Sequence, residues 1–316
     1  MNDTPIVEVT GLSKTYPGAE RPAVDGIDLT IPGGGIFGLL GPNGAGKTTF
    51  LSMLCGLLAP GGGRLRVLGH DVRHHADRVK RLFGLVPQEL ALYPTLTGRE
   101  NLDFFGRLYG LRGRRLKERV ERALAIGQLE EFADRRAATY SGGLKRRLNL
   151  VIGLIHEPRL LVLDEPTVGI DPQSRRFIHD SLRALNAQGV SIIYTTHYME
   201  EVESLCDHVA IIDHGRIIAR GTLGELLGTY QHGAIELRTE TPPDADAAEA
   251  LRALPGVEAV AVDDRLITVT SHKPETTLPA LLAALGERGI GVASLSMGTT
   301  HLEQVFLNLT GTRLRD

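Results

Sequence analysis

The sequence predicts an α/β fold built on a parallel sheet, followed by a smaller α+β domain. Three observations carry this. Apolar runs at 36–40, 160–163 and 190–195 are continuous rather than alternating, as in strands buried on both faces. The first run leads into Gly41-Pro42-Asn43-Gly44-Ala45-Gly46-Lys47-Thr48-Thr49 and then an apolar helix start over 50–58. Strand, glycine loop and helix in that order are the setting of a phosphate-cradling motif, G-x-x-x-x-G-K-[ST]. Near residues 231–233 the pattern changes. Strand 234–239, helix 244–254, strands 257–263 and 266–271, helix 276–288 and strand 292–297 follow, with a last helix over 301–309. That βαββαβ order matches a split βαβ, ferredoxin-like sandwich.

The glycine loop has a direct chemical reading. Glycines let the backbone curl so that successive N–H groups point at phosphate oxygens, and the following helix adds its positive end. Lys47 is placed for the β- and γ-phosphates, the Thr48 hydroxyl for Mg²⁺, and Thr49 for a further phosphate contact. A nucleoside triphosphate is the implied ligand.

Bulk properties narrow the class. A chain of 316 residues suits about two domains, and 42% hydrophobic with 23% charged residues is a globular composition. A formal net charge of −3 gives no general pull toward nucleic acid or an anionic membrane. Two cysteines, Cys55 and Cys206, point to the cytosol rather than to a disulfide scaffold. No apolar run approaches the roughly 18 residues of a membrane span, and residues 1–9 lack the basic and apolar regions of a secretory signal. Work at a membrane would therefore need another chain to supply the span.

Taken in order, 6–10 and 24–31 read as strands, with Asp25-Gly26 as a turn between them. Tyr16, in the connecting loop, is either a base-stacking aromatic or an ordinary loop tyrosine. Gly61-Gly62-Gly63 reads as a turn before a strand at 65–68. The short apolar piece 82–87 ends at Gln88, an amide that can ligate Mg²⁺ or orient water, or simply face solvent. Residues 97–133 are helical in pattern. Their basic run is interleaved with Glu118 and Glu121 at helical spacing, without an aromatic platform, which favours a solvated helix face over nucleic-acid binding. Ser141 caps a helix running to about 155; Gly142 and Gly143 in its first turn either expose N–H groups to an anion or merely begin the helix. Asp164 and Glu165 end the 160–163 strand, where α/β sheets place ligands. There Asp164 can hold Mg²⁺ and Glu165 can polarise an attacking water. Asp171-Pro172 opens another helix, His197 follows the 190–195 strand, and 208–220 forms a hairpin around His214-Gly215 before a helix at 222–230.

Together these residues resemble the nucleotide-binding subunit of ABC transporters. Gly41 to Thr49 is similar to the Walker A loop, Gln88 to the Q-loop, and Ser141-Gly142-Gly143 to the signature motif. Leu160 to Glu165 is similar to the Walker B strand with its catalytic glutamate, Gly169-Ile170-Asp171 to the D-loop, and His197 to the switch histidine. Tyr16 takes the place of the adenine-stacking aromatic. The stretch Leu92-Tyr93-Pro94-Thr95-Leu96-Thr97-Gly98-Arg99-Glu100-Asn101-Leu102 and the tail Leu302 to Gly311 resemble drug-, antibiotic- and lipid-export subunits, daunorubicin-resistance proteins among them. Two departures stand out: Leu144 where most of the superfamily has Gln, and Ile170 where Leu is usual.

The resemblance implies a P-loop ATPase domain over 5–230, with a helical subdomain at about 97–157, and an accessory domain over 234–311. It implies ATP and Mg²⁺ as cofactors, with Thr48, Gln88 and Asp164 on the metal and Glu165, His197 and Lys47 as the catalytic set. It further implies a homodimer in which Ser141-Gly142-Gly143 acts on the partner's ATP. A separate permease would be gripped through 89–93 and the helical subdomain at the cytoplasmic face of the membrane, with no nucleic acid involved. A soluble ATPase of ribosomes or DNA, an importer subunit, and a ligand-sensing role for the second domain are the competing expectations.

Overall fold

The structure, a computed structural model, describes residues 5–229, 233–271, 273–297 and 302–310. Tyr230, Gln231, His232, His301 and Gly311, which the sequence reading used, lie outside them. The chain divides into two compact units, one running to Leu223 and one starting at Gly224.

Alternating burial builds the first sheet. Strand β1 (Pro5–Lys14) buries Val7, Val9 and Leu12, and β2 (Val24–Pro32) buries Val24, Ile27, Leu29 and Ile31. Asp25-Gly26 is not a turn between strands. Both residues lie inside β2, where the pairing jumps from Leu12 with Ile27 to Lys14 with Val24, and Gly26 takes φ +65°. A bulge absorbs the turn-prone pair and the strand continues. Strand β3 (Ile36–Leu40) is buried throughout and leads through the glycine loop into helix α1 (Lys47–Leu54). Gly62 and Gly63 already belong to β4 (Gly62–Val67) rather than to a free-standing turn. A Cβ on Gly63 would come within 2.3 Å of the Gly11 carbonyl, so the close approach of β4 to β1 demands glycine. The short β5 (His70–Asp71) completes a sheet of order β2-β1-β4-β5.

Helix α2 (Val72–Lys80) has no counterpart in the sequence reading. It buries only Val72 and Val79 and departs from helical geometry at His75, so no apolar period marks it. Strand β6 (Phe83–Val86) then enters the second sheet. Helices α3 (Gly98–Leu108), α4 (Gly113–Gly127) and α5 (Gly142–Leu154) pack on one another around Leu102, Leu116, Leu124, Leu148 and Val151. The Thr97 hydroxyl accepts from the Glu100 N–H while the Glu100 carboxylate accepts from the Thr97 N–H, which starts α3.

The chain returns as β7 (Leu160–Asp164), α6 (Pro172–Ala187), β8 (Ser191–Thr196), the unanticipated α7 (Met199–Leu205), β9 (His208–Asp213), β10 (Arg216–Thr222) and α8 (Leu223–Thr229). The six-stranded sheet has the order β10-β9-β3-β8-β7-β6. Its pairings are parallel from β9 to β6, with β10 antiparallel at the edge. Leu40 pairs with Thr196, and Asp164 with Thr195, so the carboxyl ends of β3, β8 and β7 stand side by side.

The second unit takes in α8 from Gly224 on, then β11 (Gly233–Thr239), α9 (Ala245–Arg252), β12 (Val257–Asp263), β13 (Leu266–Ser271), α10 (Pro274–Gly286), β14 (Val292–Met297) and α11 (Leu302–Thr310). Its sheet is antiparallel with order β12-β13-β11-β14. Ile235, Leu237, Ile267 and Val269 meet Leu251, Leu281 and Leu285 in its core. Among the described residues, no helix is long and apolar enough to cross a membrane.

The contact of β6 with α5 makes a stability prediction. A Cβ on Gly84 would lie 2.0 Å from the Gly153 carbonyl. Gly84→Ala should destabilise the protein by about 1–3 kcal/mol through forced separation of strand and helix. Urea denaturation measures this, and an unchanged midpoint would contradict the contact.

Candidate active site

The site forms where the buried parallel strands end. Backbone conformation shapes the glycine loop first. Gly46 takes φ +106° and a Cβ there would lie 2.3 Å from the Ala23 carbonyl; at Gly41 a Cβ would meet the Ile212 carbonyl at 2.2 Å. The β9–β10 turn braces the loop through the Gly215 N–H, which donates to the Ala45 carbonyl at 2.9 Å. The first helical bond of α1 joins the Phe50 N–H to the Gly46 carbonyl. The N–H groups of Lys47, Thr48 and Thr49 therefore precede the helical ladder and face the loop end.

Lys47 is only 4% exposed, so its ammonium must be paired. Nζ donates to the Gly41 carbonyl at 2.7 Å and the Pro42 carbonyl at 3.1 Å, and lies 3.1 Å from Glu165 Oε1. Glu165 is buried too, and holds φ +45°, in the left-handed region that costs a non-glycine residue about 1–2 kcal/mol. Its N–H is shared between the Thr195 carbonyl at 3.2 Å and the Thr195 hydroxyl at 3.1 Å, which holds it there. Thr195 also donates its hydroxyl to Asp164 Oδ1 at 2.7 Å. One threonine at the end of β8 thus fixes both acids at the end of β7.

The second oxygen of Glu165 gathers two further residues. Gln88 Nε2 donates to Oε2 at 3.5 Å, and His197 Nδ1 lies 3.2 Å away. That His197 nitrogen is buried yet makes no hydrogen bond. The structure therefore brings Lys47, Gln88, Glu165 and His197 together from four segments far apart in sequence, with Asp164 beside them. Tyr16 stands at the rim, 43% exposed, with its hydroxyl 3.3 Å from Thr49 Oγ1. Thr48 is exposed next to it.

Ser141, Gly142 and Gly143 occupy a different part of the unit. Ser141 Oγ accepts from the Leu144 N–H at 3.3 Å, which caps α5. Gly143 abuts α6: a Cβ there would lie 2.1 Å from Ser174 Oγ. Asp171 caps α6 by accepting from the Ser174 N–H at 2.9 Å and hydroxyl at 2.6 Å. Among the described residues, no hydrogen bond or ion pair joins Ser141, Gly142 or Gly143 to residues 41–49. Leu144 turns inward onto the helical cluster.

Four positioning residues escaped the sequence reading. Arg146, half-buried on α5, donates to the Gln88 carbonyl at 2.5 Å and to the Val168 carbonyl at 3.1 Å, and burial pulls its pKa down. Asn149 accepts from the Ala91 N–H at 3.1 Å and donates to the Pro87 carbonyl at 3.2 Å. Asn101 accepts from the Tyr93 N–H at 2.8 Å and donates to the Thr97 carbonyl at 2.9 Å. These three pin the segment after Gln88 to α3 and α5. The fourth is Thr195. Each is a polar residue inside a helix or a buried strand, where sequence offers no sign of its partner.

Comparison with known proteins places this arrangement in context. Residues 24–168 match the family model described as ABC transporter. A linearmycin resistance ATP-binding protein of Bacillus subtilis is 42% identical over 98% of this chain and 100% of its own length. A daunorubicin/doxorubicin resistance ATP-binding protein of Streptomyces peucetius is also 42% identical, over 98% of this chain and 94% of its own. Among solved structures, cbiO1 of Clostridium perfringens, part of the ABC transporter complex cbiONQ, superposes with a TM-score of 0.65. It shares 29% identity and covers 70% of this chain and 90% of its own.

The Asp171 cap makes a pH prediction. Hydrogen bonds from the Ser174 hydroxyl and then the Ser174 N–H hold the Asp171 carboxyl below its ordinary pKa. A depressed folded pKa contributes stability that is full above the ordinary aspartate value and is lost as pH falls through the folded value. Asp171→Asn should remove that acid-side loss. Thermal unfolding of both proteins from about pH 7 down to about pH 2 reads the difference, and parallel curves would contradict it.

Proposed function

We propose a function from the premise that this chain belongs to the ABC transporter family. It is an ABC ATPase that couples ATP hydrolysis to transport, the ATP-binding subunit of an export system. One observation carries the catalytic reading: Lys47, Gln88, Glu165 and His197 converge at the carboxyl ends of adjacent parallel strands. Ligands of α/β sheets bind there.

In this reading the N–H groups of the glycine loop receive the phosphates, and Lys47 exchanges Glu165 for the β- and γ-phosphate oxygens. Glu165, so released, accepts a proton from the attacking water and aligns it with the γ-phosphorus. His197, whose Nδ1 faces Glu165 Oε2 without a hydrogen bond, turns to donate to the γ-phosphate. Tyr16 offers its exposed ring to the adenine, and Thr49 a further phosphate contact. Asp164 is a buried carboxylate with no ion-pair partner among the described residues, which fits a cation. With the Thr48 hydroxyl and the Gln88 amide it gives the oxygen donors that suit Mg²⁺, which would neutralise charge on the phosphates.

Ser141, Gly142 and Gly143, at the capped start of α5, make no hydrogen bond or ion pair with the loop of their own chain among the described residues. A second copy supplies the matching loop, so the active form is a homodimer with ATP between one glycine loop and the other chain's signature. The exposed side chains of Leu90 and Tyr93, on a segment fastened by Asn149 and Asn101, are the docking point for a permease subunit at the cytoplasmic face of the membrane. Within the basic run of α4, Arg114 pairs with Glu118, and Arg119 and Arg122 with Glu157, which favours a solvated, salt-bridged helix face. We assign 5–230 to the ATPase domain, with 97–157 as its helical subdomain. The 234–311 segment is a ferredoxin-like accessory domain that supports the dimer or senses a ligand; the order β12-β13-β11-β14 favours that fold.

Glu165→Gln should bind ATP and hydrolyse it slower by on the order of 10²–10⁴-fold. Steady-state phosphate release checks this, and near-normal turnover would remove Glu165 from its role. The permease assignment has its own test. Glu89→Lys combined with Leu90→Asp should abolish export by the assembled transporter in vesicles while leaving ATPase activity intact. Loss of both, or of neither, would count against this segment.

A further inference from the structure

A buried acid that the catalytic reading does not use lies directly behind the site. Glu201, on α7, is 2% exposed. Its two oxygens serve different parts of the site. Oε1 accepts from the Thr167 hydroxyl at 2.7 Å, with Arg175 Nε at 3.4 Å and His179 Nε2 at 3.9 Å. Oε2 accepts from the Thr196 hydroxyl at 2.7 Å and the Tyr194 hydroxyl at 2.9 Å. Thr167 and Thr196 are each 1% exposed, and Tyr194 is fully buried.

The sequence positions of these partners give the carboxylate its meaning. Thr167 stands two residues after Glu165, in the turn that holds Glu165 at φ +45°. Thr196 immediately precedes His197, and its hydroxyl also accepts from the Tyr198 N–H at 2.9 Å. Arg175 and His179 belong to α6, the helix that Asp171 caps. Arg175 additionally lies over the Tyr198 ring, 5.3 Å from its centroid, and Tyr198 packs on His197 at 4.1 Å between centroids. We propose that Glu201 is a positioning residue that sets the separation of Glu165 and His197, one oxygen holding the Glu165 turn and the other the His197 end of β8.

The chemistry requires a carboxylate. Three hydroxyls donate to it and a guanidinium faces it, and an ionised carboxylate accepts on every lone pair. Burial pulls the pKa of His179 down and raises that of Tyr194, the latter helped by the Glu201 charge. A glutamine of the same size would turn an NH₂ donor toward one arm and leave donors facing donors. That arm would loosen while the core stayed filled.

The proposal rests on the roles given to Glu165 and His197, and the experiment separates the two. Steady-state ATPase kinetics and thermal unfolding are measured on the full chain, wild type beside Glu165→Gln, Glu201→Gln, Thr167→Val, Thr196→Val and the Glu201→Gln/Thr167→Val double variant. Displacing a reacting group by about 1 Å costs on the order of 10²-fold in rate. Glu201→Gln should therefore lower kcat by about tenfold to a hundredfold with KM for ATP within about twofold. Each threonine variant should lower kcat on its own, and Thr167→Val should add little to Glu201→Gln. A kcat within about twofold of wild type in Glu201→Gln, or a parallel change of kcat and KM, overturns the proposal. If Glu201→Gln does not fold, the threonine variants decide, and wild-type kcat in both overturns it. Wild-type turnover in Glu165→Gln would instead overturn the assignment on which the proposal stands.

Discussion

The buried pairing of Lys47 with Glu165 is the interaction on which the rest of the site depends. Both side chains are nearly withdrawn from solvent. Removing one member of such a pair leaves an uncompensated charge in the interior, at a cost of about 3–5 kcal/mol. The pair forms only if the end of β3 and the end of β7 stand at a fixed spacing. That spacing comes from β8 between them, whose register matches Leu40 with Thr196 and Asp164 with Thr195. A slip of one residue along β8 would turn Thr195 away from both acids and leave Glu165 without its N–H acceptors.

Around that pair the fold distributes polar groups in two tiers. The upper tier holds Lys47, Gln88, Glu165, Asp164 and His197, groups suited to phosphate and water. The lower tier holds Glu201 with the hydroxyls of Thr167, Tyr194 and Thr196 that donate to it, and Arg175 beside them. Thr195 and Thr196, adjacent on β8, point to opposite faces and serve one tier each. Arg146 adds a lateral tie, because it grips the carbonyls of Gln88 and Val168 from the helix that Ser141 begins. That side chain ties α5 to the segment that carries Gln88.

Much of this was legible in the sequence, for identifiable reasons. Continuous apolar runs disclosed β3, β7 and β8 because strands buried on both faces tolerate no alternation. The glycine loop, the acids after β7 and the caps at Ser141 and Asp171 were legible because each needs a particular residue type at a particular place. Helix α7 was not, and the reason is instructive. Its seven residues place Glu201 at an inward position, which disrupts the apolar period that would have announced a helix. Helix α2 was hidden by its two-residue apolar face and its kink. Asp25-Gly26 misled because a bulge and a turn use the same residues. Arg146, Asn149 and Asn101 read as ordinary polar helix residues until their carbonyl and amide partners were located in space.

In the proposed dimer, one chain's glycine loop needs another chain's signature to complete a site. Light scattering on the Glu165→Gln chain, with and without ATP and Mg²⁺, tests this most directly, because slow turnover preserves the closed state. A mass that doubles only with nucleotide is the predicted result. A monomer that binds ATP at every protein concentration would contradict the account.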